Sequence, residues 1–289
     1  MPGEMVLRIC DVEHGACALL MHGLNGQFGR LAMIDCGDAA DFRPSQFIVT
    51  ALQRRRIDYF FVTNADQDHL SDLNGVWESG ISIGAAFYNS HPQPDILRRI
   101  KEESGDVSAD IERYLHIRQS YVYPAAEPFD LYMGGITAVT YGNTYPEFDD
   151  TNNLSLAVFI KYRGFKILFP GDLEEVGWRA LLRRQDFRAE LAGVTILVAS
   201  HHGRESGYCA EVFDYCAPCA IVMSDKAIVH DTQLMSRTYG ERVRERHPNG
   251  VVVRNTQERR LVLTTRYDGH IEFVVGDNGN FAIDTERVV

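Results

Sequence analysis

Four apolar runs in this chain each end in a carboxylate or a histidine, and that recurrence limits the fold more than any other feature. Residues 31–34 lead into Asp35-Cys36-Gly37, and residues 59–62 lead into Thr63-Asn64-Ala65-Asp66-Gln67-Asp68-His69. Residues 165–169 lead into Pro170-Gly171-Asp172, and residues 194–198 into Ser200-His201-His202-Gly203. Short β-rich runs bounded by turn residues read as buried strands. Proteins of mixed α/β structure gather functional groups at strand carboxyl ends. Burying several carboxylates together is costly unless a cation joins them. Taken alone, the turn at 63–70 reads equally well as a solvated polar loop or as a metal site. The three other strand ends shift the reading to a metal site.

The rest of the chain reads as strands and helices around those ends. Further strands are expected at 5–10, 16–21, 121–123, 136–141, 154–162 and 220–223. Helices are expected at 44–56, where Phe47, Ile48 and Leu52 share a face, and at 173–184. Residues 95–104 and 109–118 read as two charge-rich surface helices, a helical insertion at about 90–120 in a single domain spanning 1–289.

Composition narrows the class. With 289 residues, 45% of them hydrophobic and 24% charged, the chain has the make-up of an ordinary globular protein with a large core. Residues 1–9 contain Glu4 and Arg8 and no long apolar run, and no window approaches the roughly 18 apolar residues of a membrane span. A cytoplasmic protein without a membrane partner is expected. The formal charge of −11 argues against indiscriminate binding to a polyanion and leaves room for a local basic groove. Arg54-Arg55-Arg56, Arg98-Arg99 with Lys101, Arg183-Arg184 and the arginines between 237 and 260 are the clusters that could form one. Most read as solvated helix faces. Six cysteines, at 10, 17, 36, 209, 216 and 219, read as free thiols. The Cys216/Cys219 pair has no second pair to complete a zinc ribbon.

The order Asp-x-Gly, acidic His-containing turn, Gly-Asp and His-His-Gly resembles the metallo-β-lactamase fold superfamily. Within it, the chain is most similar to the soluble hydrolase domain of the ComEC DNA-uptake proteins, whose second motif runs H-x-D-x-D-H. Asn64-Ala65-Asp66-Gln67-Asp68-His69 matches that motif except at its first position. Asp11-Val12-Glu13-His14-Gly15, Asn152-Asn153-Leu154-Ser155-Leu156, Pro170-Gly171-Asp172-Leu173-Glu174 and the tail Thr265-Arg266-Tyr267-Asp268-Gly269-His270-Ile271 are similar to further motifs of those domains. The likeness runs from about residue 6 to 275 and is weakest at the insertion.

The resemblance implies an α/β (α+β) fold, a four-layer αββα sandwich with its site at one edge between two sheets. It implies that Asp68, His69 and His202 hold one divalent metal and that Asp172 bridges to a second. Asp66 and Asn64, helped by Asn152 or Asn153, would hold the second ion, and Asp35 would orient the site from behind. The nucleophile would be a water activated by metal, oriented by Asp68. Asn64 stands where those domains carry a histidine. An amide oxygen binds less strongly than imidazole, so the second position is expected to be weakened and oxygen-rich. Mn²⁺ or Mg²⁺ would suit it better than Zn²⁺, while the first position would take Zn²⁺ or Mn²⁺.

The leading expectation is a phosphodiesterase acting on nucleic acid or nucleotides. His230 is read as general acid, Arg204 as a candidate phosphate contact, and His14 as the weakest candidate. A small-molecule ester, thioester or lactam hydrolase is the second reading. A non-catalytic module with a degenerate site is the third. A basic groove through Arg204, Arg237, Arg242 and Arg244 would separate the first from the second. A protein partner is left open.

Overall fold

Strand residues 59–62 are apolar on both faces, and the two faces bury in different places. Tyr59 and Phe61 join one core cluster, while Phe60 and Val62 join another. Residues 157–160 divide in the same way, with Val158 and Ile160 facing Tyr59 and Phe61, and Ala157 and Phe159 facing outward. Strands buried on both faces need a layer on each side. The computed structural model, which describes residues 3–105, 107–122, 128–226 and 234–287, supplies those layers.

Strands β1 (Glu4–Ile9), β2 (Ala18–Leu24), β3 (Gln27–Ile34), β4 (Arg56–Phe61) and β5 (Ser82–Phe87) occupy the first part of the chain. Then come β6 (Thr137–Gly142), β7 (Leu156–Tyr162), β8 (Phe165–Phe169), β9 (Ile196–Val198) and β10 (Ala220–Met223). A ribbon of β11 (Val251–Val252) and β12 (Arg259–Arg260) precedes β13 (Val262–Thr264), β14 (Ile271–Gly276) and β15 (Phe281–Thr285). One sheet runs β15-β14-β1-β2-β3-β4-β5 and the other β13-β10-β9-β8-β7-β6. β3, β4 and β5 are parallel neighbours in the first sheet, as are β8, β9, β10 and β13 in the second. Parallel strands deliver their carboxyl ends to a common edge.

Leu7, Ile34, Tyr59 and Phe273 of the first sheet pack with Val158, Ile160 and Ile167 of the second in the central core. Outside the first sheet lie α1 (Pro44–Thr50), α2 (Leu73–Glu78), α3 (Pro94–Ser104) and α4 (Ala109–Ser120), which bury Ile48, Val76, Leu97 and Leu115 against it. The short α5 (Phe129–Tyr132) puts Phe129 into the central core. α6 (Glu175–Leu182), α7 (Gln185–Leu191) and α8 (Ser236–Arg246) cover the second sheet through Trp178, Phe187 and Val243. The result is a four-layer αββα sandwich.

Local expectations differ from the structure in three places. The helix expected over 44–56 stops at Thr50, because Gln53 turns the chain at φ 54° so that β4 can begin at Arg56. Tyr121 and Val122 are not strand. The Tyr121 N–H closes the end of α4 on the Ile117 carbonyl, and residue 123 lies outside the described residues. The two helices at 90–120 are not surface additions, since Leu97, Ile111, Tyr114 and Leu115 are core residues. No helix among the described residues is long and apolar enough to cross a membrane.

Candidate metal centre

The turns after β3, β4, β8 and β9 meet at the shared edge, and the chain adopts unfavourable backbone to bring them there. Asp35, His201 and His202 have φ of 58°, 50° and 56°, the left-handed region that side chains other than glycine rarely enter. The 67–69 turn is clamped from behind: Ala16 N–H donates to the Asp68 carbonyl at 3.2 Å and Cys36 N–H to the His69 carbonyl at 2.7 Å. A Cβ on Gly15 or Gly37 would lie 2.4 Å from that Asp68 carbonyl oxygen, so both positions require glycine.

Asp68, His69, Asp172 and His202 converge, each with one ligand atom within 4.8 Å of the others. Their orientation is set by the groups behind them. The Nδ1 of His69 donates to Asp35 Oδ2 at 2.9 Å, and Asp35 also accepts the Thr63 N–H at 2.7 Å and the Thr63 hydroxyl. The Nδ1 of His202 donates to the Ser224 carbonyl at 3.0 Å. Ser155 Oγ accepts the Asp172 N–H at 3.0 Å. Because a carboxylate and a carbonyl only accept, both rings carry their hydrogen on Nδ1 and turn Nε2 inward. There, His69 Nε2 lies 3.1 Å from Asp172 Oδ1, and His202 Nε2 lies 3.1 Å from Asp68 Oδ2 and 3.5 Å from Asp172 Oδ2.

That arrangement fits a divalent cation. Two imidazole lone pairs facing two carboxylates repel unless a positive charge stands between them. His202 Nε2, although close to both acids, has no well-directed hydrogen-bond partner among the described residues. Without a metal, protons fill the role. Burial opposes charge on His202, but the Asp172 and Asp68 carboxylates outweigh it and hold the imidazolium up to about 9. Burial is likewise outweighed at His69, held well above its ordinary value by Asp172 and Asp35, and at Asp172, held well below its own by His69 and His202. Two nitrogens and two carboxylate oxygens suit Zn²⁺ or Mn²⁺. A cavity of about 30 Å³, lined by Asp35, Thr63, His69, Asp172 and His202 but not by Asp68, adjoins the group and has room for a single water.

Other expected residues lie close by in different roles. Asn64 spends its amide oxygen on the Asp66 N–H at 2.9 Å and its amide nitrogen on Asn152 Oδ1 at 3.2 Å. Asp66 Oδ1 accepts from Lys101 Nζ at 2.7 Å and Thr151 Oγ1 at 2.8 Å, outside the converging group. Asn153 accepts the Gly177 N–H at 3.0 Å and so caps α6. His201 points to Ser206 at 3.0 Å rather than into the group. His230 lies outside the described residues.

Three residues gain importance. His14 Nε2 lies 3.4 Å from Asp68 Oδ2 and accepts from Arg204 Nη2 at 3.0 Å. Burial and the charge of His202 push its pKa down to about 4, so it stays neutral. Arg204, half-buried, thus sits beside the site with a guanidinium held by His14. Lys101 was not legible as a site residue. It reads as one charge of an exposed helix, yet its side chain is only 4% exposed.

No family model matches the chain, and no curated protein matches it. Among solved structures it is similar to the metallo-β-lactamase fold protein YhfI from Bacillus subtilis, with 11% identity, 95% of this chain and 100% of that one covered, and a TM-score of 0.47. It is similar to CmlA, a diiron β-hydroxylase from Streptomyces venezuelae, at 13% identity and a TM-score of 0.50, covering 96% of this chain and 55% of CmlA. A diphosphatase from the PhnP family matches at 13% identity and a TM-score of 0.42, covering 94% and 98%. At these identities the likeness is one of fold. With two mixed sheets face to face, helices on both outer faces and Asp- and His-bearing turns along one edge, the chain is a four-layer αββα sandwich, a fold it shares with CmlA.

Proposed function

We propose that this chain is a metal-dependent hydrolase that cleaves a phosphodiester through a metal-activated water. The observation that carries the reading is the inward pair of His69 and His202 Nε2 atoms set against Asp68 and Asp172. A divalent ion held by those four residues supplies the charge that lowers the pKa of a water and polarises the scissile ester.

The remaining steps belong to the chain. Asp35, locked by Thr63, keeps the His69 ring in one orientation. Asp68 is 24% exposed while His69, Asp172 and His202 are nearly closed off, so its Oδ2 is the group best placed to orient a water from the opening. Arg204 offers its guanidinium to a non-bridging oxygen, which favours an anionic ester over a neutral one. His230 is assigned the proton for the leaving oxygen.

The surface favours a small substrate over a long polymer. On α8, Arg237 pairs with Glu241 at 3.0 Å and Arg242 with Glu245 at 3.2 Å, while Arg244 and Arg246 are exposed, so its cations are interleaved with acids on a chain of net charge −11. A nucleotide-sized phosphodiester fits that pattern better.

The test is hydrolysis of bis-p-nitrophenyl phosphate by chelator-treated protein reloaded with Zn²⁺ or Mn²⁺. Turnover that needs the metal and is lost in Asp172→Ala is expected. Undiminished turnover by Asp172→Ala, or by the chelated protein, would overturn the reading. Metal binding without phosphodiester turnover would move the substrate to the ester, thioester or lactam class.

A further inference from the structure

We infer that the centre is mononuclear and that the ammonium of Lys101 is the resident cation at its second acidic position. The inference rests on the metal reading of Asp68, His69, Asp172 and His202 and concerns the carboxylate two residues before Asp68.

Asp66 leaves the same turn as Asp68, but its charge is already answered. Lys101 Nζ stands 2.7 Å from Asp66 Oδ1, and Thr151 Oγ1 donates to the same oxygen at 2.8 Å. Lys101 is 3% exposed, although its neighbours Glu102 and Glu103 on α3 are exposed. A lysine so deeply buried is rare and calls for a paired anion. The other donors at this position are also committed. The Asn64 oxygen holds the Asp66 N–H, and its amide nitrogen holds Asn152 Oδ1. The adjoining cavity, lined by Asn64, Leu97 and Thr151, measures about 20 Å³. A second divalent ion would have to expel the ammonium and break an ion pair whose lysine is buried and whose carboxylate is partly so, which is unfavourable.

Lys101 thereby acts as a positioning residue. It fixes the Asp66 side chain, and through Asp66 and Asn64 it braces the turn that presents Asp68 and His69. It also supplies at this position a positive charge that no chelator removes.

The test counts bound metal. Chelator-treated protein is equilibrated with excess Zn²⁺ or Mn²⁺, freed of unbound ion and measured by elemental analysis, with manganese EPR to distinguish an isolated ion from a coupled pair. The wild type is expected to hold one equivalent, and so is Lys101→Arg. Lys101→Met combined with Asn64→His frees Asp66 and adds an imidazole, and is expected to hold two. Adding Asp66→Asn to that variant should return the count to one, and thermal melting of each variant checks that it is folded. Two equivalents in the wild type would overturn the inference and leave the metal reading intact. A folded Lys101→Met/Asn64→His protein that still holds one would also overturn it. No bound metal in the wild type would overturn both.

Discussion

Asp66 and Asp68 sit two residues apart on one turn, and the protein answers their charges in opposite ways. Asp68 faces His202 Nε2 at 3.1 Å, a nitrogen that can share it with a metal ion. Asp66 faces a covalently tethered cation, Lys101, at 2.7 Å. What differs is the source of the partner. The histidine arrives on the turn after β9, whereas the lysine arrives on a helix packed from outside. Two similar carboxylates thus become a ligand and a brace.

The comparison can be broken by removing each anion in turn. Asp172→Ala, which takes away the acid shared by both histidines, is expected to abolish stoichiometric metal binding. Asp66→Ala should leave the single equivalent in place, and calorimetric titration with Zn²⁺ measures both. Equal loss in the two variants would mean that the two acids belong to one ligand set.

Acidity gives the next largest effect, and only in the metal-free protein. His202 is held up to about 9 against an ordinary 6.5, so its stabilising contribution is complete below about pH 6.5 and is lost as pH rises through 9. Asp172 is held well below its ordinary 3.8, so its contribution is present above that value and fades as pH falls through its lowered pKa. The group therefore stabilises the metal-free fold most between about pH 4 and 6.5, and on the order of 3 kcal/mol disappears by pH 10. Metal competes with the same protons, so loaded protein should lose this decline and bind metal more tightly as pH rises. Urea unfolding at pH 6 and 10, with and without Zn²⁺, measures the difference. Identical pH dependence in the two states would contradict it.

Lys101→Ala should lower stability by about 2–3 kcal/mol, less than for a fully buried pair because Asp66 retains some exposure. Metal count is expected to stay within one equivalent unless Asn64 is also replaced. The smallest effect belongs to the group behind the ligands. Asp35→Asn leaves the His69 ring without its carboxylate and should weaken metal affinity about 10- to 100-fold, with the fold retained. An unchanged Kd would mean that Asp35 serves Thr63 alone.

Much of this edge was legible because strand ends carry short-range signals. The runs at 31–34, 59–62 and 165–169 announce β3, β4 and β8 by apolar content, and the residues after them name themselves by type. Their meeting follows from parallel strands in two facing sheets. Lys101 was illegible because α3 reads as a solvated helix with Arg98, Arg99, Glu102 and Glu103. Only its packing against the 64–67 turn decides which charge is enclosed. The Ser224 carbonyl that sets the His202 ring carries no side-chain signal at all. His14 looked like a stray turn histidine, and the close backbone approach at Gly15 brings it to Asp68.

Anomalous diffraction from crystals of the zinc-loaded protein tests the centre most directly. One peak among Asp68, His69, Asp172 and His202, with Lys101 still on Asp66, is the expected result. A second peak beside Asp66, or a single peak away from those four residues, would contradict it.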